Sequence, residues 1–217
     1  CPCIADCFYY KARAERADAN IIICNHMLLA MHEKHPGAQI LPEADVIVID
    51  EAHQLASYVS NANGVEFKLS SYDKHVKTLH GYAAAPDDID RMLAGFTGEV
   101  KAYIHGKSDE QVGINREDQF PWGLKFAELL TEGACNIWNP NDMPQDPQEK
   151  KWSNVAKRII DAAANLMFAC RETAPGYVRW YTKHANTVSA LPYDVSAIVG
   201  RMAGFNQVHV EIPDHTQ

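Results

Sequence analysis

The stretch Val46-Ile47-Val48-Ile49-Asp50-Glu51-Ala52-His53 decides the reading of this chain. Four β-branched residues in an unbroken row suit a strand buried on both faces, as in a parallel sheet covered by helices. The carboxylates follow at once, so they fall at the carboxyl edge of such a sheet, where α/β folds bind their ligands. Asp50 can there hold Mg²⁺, directly or through water, beside nucleotide phosphates. Glu51 can orient or deprotonate the water that attacks a γ-phosphate. His53 opens the next helix and can relay the state of the nucleotide to neighbouring segments. The plainer reading, acidic residues favouring a helix N-terminus, explains less of so specific a string.

Working outward, residues 20–24 (Asn-Ile-Ile-Ile-Cys) read as a second buried strand, and residues 8–19, Ala-rich and free of Gly and Pro, as a helix. Met27–Met31 supplies one or two helical turns before His35-Pro36-Gly37 breaks the pattern. Two strands joined by helical segments predict an α/β layer with a parallel sheet. Beyond about Asn61 the character changes. Residues 70–82, 87–105, 123–132 and 151–172 show helical spacing, and the proline-bearing loop 139–148 reads as irregular. Residues 177–182 and 187–191 are expected to pair as strands, followed by a helix over 194–202 and a strand over 208–212. The division expected is 1–61, 62–185 and 186–217.

The 217 residues suffice for one domain or two small ones. No apolar run approaches the roughly 18 residues of a membrane span, and no secretory leader is visible. A net charge of −8 argues against a free-standing nucleic-acid binder, because phosphate contacts rest mainly on Lys and Arg. Three of the six cysteines fall within the first seven residues. Such crowding favours a metal or cluster site in a reducing compartment, so a cytoplasmic location is expected. The chain opens on cysteine rather than methionine, which suggests a start inside a longer protein.

Residues 46–53 resemble the Walker B/DEAH motif of superfamily 2 helicases. Two further stretches are similar to the iron–sulfur DinG/XPD helicases, the bacterial DinG/YoaA branch in particular. One is Cys7-Phe8-Tyr9-Tyr10-Lys11-Ala12-Arg13; the other is residues 17–29, where a short strand precedes Asn25-His26 and Leu28-Leu29. Residues 191–196 resemble the segment that re-enters the first motor domain after the family's helical insertion, the Arch. The resemblance implies a partial RecA-like motor domain interrupted by a mostly helical Arch-like insertion. It also implies ATP with Mg²⁺ at Asp50, and 5′→3′ translocation on single-stranded and forked DNA.

By the same resemblance, Cys1 and Cys7 match the third and fourth thiolate ligands of a 4Fe–4S cluster, a group normally held by four cysteines. Cys3 has no counterpart and reads as a bystander or a substitute ligand. Free thiols are the plainer alternative, and zinc fits the Cys-x5-Cys spacing poorly. Tyr10, Lys11 and Arg13 combine a stacking ring with positive charge, as a single-strand groove requires. The resemblance turns Asn25 and His26 toward DNA; a helix cap is the plain alternative. His32, His35, His75, His80 and His105 lack ligand spacing and read as surface residues.

No G-x-x-x-x-G-K-[ST] phosphate loop occurs among the 217 residues. The expected whole is therefore a helicase in which other motor-domain segments complete the site, this stretch being inactive alone. The rivals are an RNA-directed DEAH-box ATPase and a non-enzymatic interaction module with a vestigial Asp-Glu-Ala-His string.

Overall fold

The computed structural model describes residues 7–38, 40–173 and 176–202. The chain is mixed α/β and divides into two compact units, Cys1–Asn63 with Asp194–Gln217, and Gly64–Tyr193.

In the first unit, α1 (Phe8–Glu15) tightens into a 3₁₀ turn at Arg16–Asp18. The helix α2 (His26–Lys34) starts where the side chain of Asn25 accepts the Leu28 N–H at 2.8 Å, satisfying one orphan donor of the first turn. A further 3₁₀ turn, Ala52–Gln54, leads into α3 (Leu55–Asn63). Near the other end of the chain, Asp194 Oδ1 accepts the Ser196 N–H at 2.9 Å and so starts the last helix, Ser196–Met202. The unit's core is small: Ala30, Leu55, Val59, Ala62 and Met202, with Met27, Leu29 and Ile49 against it. Polar ties reinforce it. Lys34 Nζ donates to the carbonyl of Ala62 at 2.6 Å, and Arg201 Nε to Glu33 Oε1 at 2.9 Å.

The two strands expected here do not form ladders. Residues 20–24 and 46–49 belong to no strand, and no parallel pairing exists among the described residues. A strand needs a neighbour to satisfy its backbone and cover its side chains. Without one, Ile21 is 81%, Ile23 94%, Val46 77% and Val48 88% exposed.

The sheet lies instead in the second unit and is antiparallel throughout, in the order β1 (Val65–Lys68), β4 (Thr187–Pro192), β3 (Tyr177–Thr182), β2 (Gln111–Ile114). The expected β3–β4 pair forms, closed by a four-residue turn whose Asn186 takes a left-handed φ of 51°. Between these strands run α4 (Ser71–Gly81), α5 (Ile89–Ile104), α6 (Pro121–Ile137) and α7 (Pro147–Cys170). α4 and α5 occupy segments expected to be helical, whereas α6 runs past the expected 123–132 to Ile137 and α7 starts at Pro147, inside the stretch 139–148 expected to be irregular. The α6–α7 pair brackets the proline-bearing loop. Pro147 stands in the first turn of α7, and Asp146 Oδ1 accepts the N–H groups of Gln148 and Glu149 at 2.7 and 2.8 Å. The apolar stripe Ala156, Ile159, Ala163, Leu166 and Cys170 then faces the core beside Phe126, Leu130, Tyr72 and Phe96.

Two histidines expected at the surface are half-buried. His32 Nδ1 accepts the Leu41 N–H at 3.2 Å, and burial on α4 pushes the imidazole of His75 below its ordinary value. Among the described residues no helix is long and apolar enough to cross a membrane.

Candidate functional site

The carboxylates Asp50 and Glu51 stand exposed at the turn between residues 46–49 and the 3₁₀ turn Ala52–Gln54. Glu51 takes the left-handed conformation, φ 49° and ψ 45°, a region that residues with a Cβ rarely enter. Its carbonyl accepts the Gln54 N–H at 2.9 Å, which starts the turn. Its Oε2 lies 3.3 Å from His53 Nδ1, with both side chains mostly exposed, so this pair contributes little to stability.

His26, the first residue of α2, reaches this turn. Its Nε2 lies 2.8 Å from the backbone oxygen of Asp50. A carbonyl only accepts, so the ring carries its proton on Nε2. The Glu51 N–H in turn donates to Asp50 Oδ1 at 3.0 Å. The Asp50 C=O and the Glu51 N–H belong to one peptide unit, which is therefore held at both ends. The His26 ring lies 5.3 Å from that of Tyr58 on α3. Asn25, by capping α2, sets where that helix begins.

The sequence offers a faint signal for this meeting, since Asn25-His26 and Asp50-Glu51 each follow a short apolar run. Tyr58 carries no such signal. Tyr10, Lys11 and Arg13 lie exposed on α1, outside the segments that form this turn. Two exposed carboxylates suit a divalent cation that retains water and phosphate ligands.

Of the expected cluster ligands, Cys7 is half-buried at the N-cap of α1, while Cys1 and Cys3 lie outside the described residues. Among the described residues no three His, Cys, Asp or Glu side chains are grouped to hold a metal.

Residues 3–72 match the DEAD_2 family model. Over 67 residues the chain is 43% identical to YoaA of Escherichia coli, an ATP-dependent DNA helicase; the match covers 30% of this chain and 10% of that protein. It is 38% identical over 66 residues to DinG of Mycobacterium tuberculosis, an ATP-dependent helicase, with the same coverage. A broader similarity, 23% over 163 residues, covers 73% of this chain and 22% of chl1 of Aspergillus clavatus, an ATP-dependent DNA helicase. The chain thus spans about a tenth of the length of YoaA and DinG. The DEAD_2 stretch contains both halves of the site, Asn25-His26 and Asp50–His53, and all of α1.

Proposed function

We propose that this chain is a segment of an ATP-dependent 5′→3′ DNA helicase of the DinG/YoaA kind, acting in the cytoplasm on single-stranded and forked DNA. The observation that carries the reading is the meeting of the two motifs of the DEAD_2 stretch at one turn, His26 against Asp50. Residues 20–24 and 46–49 are proposed strands of a RecA-like parallel sheet completed by other motor-domain segments. Their exposed Ile and Val side chains support that role. The Arch-like insertion is proposed as residues 64–193 rather than ending at the expected 185, because β4 pairs with β1 and β3, and the chain returns to the motor domain from Asp194.

In this scheme Asp50 holds Mg²⁺, which supplies charge neutralisation at the phosphates. Glu51 orients the attacking water and accepts its proton, and His53, beside Glu51, passes on the nucleotide's state. Lys11 and Arg13 track phosphates while Tyr10 stacks a base, and Asn25 and His26 line the DNA side of the motor. Cys1 and Cys7 contribute to a 4Fe–4S cluster whose remaining ligands lie in other segments, with Cys3 a doubtful substitute. The chain alone hydrolyses no ATP, because the phosphate cradle is not among its residues, and holds no stable cluster, because it supplies two or at most three of the four ligands.

The test is single-strand-stimulated ATP hydrolysis and unwinding of a 5′-tailed fork by the intact protein. Activity lost in Glu51→Gln is the expected result. An intact protein without nucleotide hydrolysis sinks the proposal and favours the interaction-module reading, for which the separate core of residues 64–193 speaks.

A further inference from the structure

The clamp on the peptide between Asp50 and Glu51 assigns a second task to His26. A left-handed Glu51 persists only where its surroundings hold it, since a residue with a Cβ is disfavoured there. The direction in which the Glu51 side chain leaves the backbone follows from the plane of that peptide and from the residue's φ of 49°. One end of the plane, the Glu51 N–H, is held by Asp50's own carboxylate at 3.0 Å. The other end, the Asp50 C=O, is held by His26 Nε2–H at 2.8 Å, across 24 residues of sequence. His26 is in turn fixed by the Asn25 cap beneath it and the Tyr58 ring beside it.

We infer that His26 is a positioning residue for hydrolysis, holding the 50–51 peptide so that Glu51 is aimed at its water. This rests on the proposed ATPase reading and deepens it. The resemblance turns His26 toward DNA, whereas its described hydrogen bond is spent on the turn that bears the carboxylates. A displacement of the Asn25-His26 segment would then be felt at Glu51 through one hydrogen bond.

The experiment compares His26→Leu and His26→Gln in the intact protein. Leu removes the donor, whereas Gln offers an amide N–H at similar reach. The expected result is a fall in kcat for ATP of about 10- to 100-fold in His26→Leu, the scale of a misaligned catalytic group. KM for ATP stays near that of the wild type, and His26→Gln restores most of kcat. Hydrogen exchange of the peptide spanning residues 50–55 should quicken in His26→Leu, while α2 keeps its protection. Loss of α2 protection in the Leu variant moves the decision to His26→Gln, which must then retain both kcat and slow exchange.

Unchanged kcat and exchange in His26→Leu would overturn the assignment. So would a loss that appears in KM and that Gln does not repair. A wild-type protein without ATP hydrolysis defeats the helicase reading, and the exchange at residues 50–55 still decides the clamp.

Discussion

Arg179 Nη1 donates to the backbone carbonyl of Ala169 at 2.7 Å, tying the centre of the antiparallel sheet to the C-terminal end of α7. The same guanidinium donates to the carbonyls of Arg171, Asn115 and Asp118 at 2.8, 2.6 and 2.7 Å, and Arg179 is only 3% exposed. One side chain thus gathers β3, the end of α7 and the loop after β2. Replacement by Leu strands several carbonyls together and should destabilise the second unit by at least about 3 kcal/mol. Arg179→Lys should recover only part of this, because an ammonium cannot span the same fork. Denaturant midpoints of the three proteins check both statements.

A close approach fixes the helix pair beside it. A Cβ built on Gly123 would stand 2.4 Å from Cys170 Sγ and 2.7 Å from the Phe96 ring. Gly123→Ala should therefore cost about 1–3 kcal/mol through overpacking. Cys170→Ala added to it should recover a part, seen as a non-additive double-mutant cycle in thermal unfolding.

Tyr103 Oη donates to Asp118 Oδ2 at 2.7 Å, between the end of α5 and the loop after β2. That bond holds the Asp118 carboxyl below the usual carboxylate range, with Arg179's charge adding to it. Burial first, and Asp118 second, push the Tyr103 phenol above its ordinary value. A depressed carboxylate contributes stability present above its unfolded value, about 3.9, and lost as pH falls through the folded value. A raised phenol contributes stability present below about 10 and lost as pH climbs through the folded value. Tyr103→Phe should flatten both arms of a stability–pH curve while leaving its middle near level.

The Asn25 cap is testable without activity. Asn25→Ala removes the acceptor for the Leu28 N–H and should cost about 1 kcal/mol, read as a fall of about 4–8 °C in the melting of the first unit. Asn25→Ser should restore most of it.

Much of the second unit was legible from local chemistry. The 3.6-residue spacing over 151–172 announces α7, because it is a property of adjacent residues, whereas its Asp146-Pro147 start fell in the stretch 139–148 expected to be irregular. The strands Val65–Lys68 and Gln111–Ile114 escaped notice, since four residues show little periodicity and their stability comes from partners distant in sequence. Residues 46–49 show the reverse: among the described residues their strand-like composition meets no neighbour and so makes no ladder.

The carboxylate pair at 50–51 and the aromatic and basic residues of α1 were legible in the sequence, and the cap at Asn25 was one of its two readings, because each rests on residue identity and short spacing. Only the tertiary structure decided that the described sheet is antiparallel and that Arg179 is its anchor. It also decided that His26 holds the Asp50 carbonyl from 24 residues away. Bonds of that kind end on a backbone carbonyl, a group common to every residue, so the sequence names the side chain and marks only faintly which carbonyl it will meet.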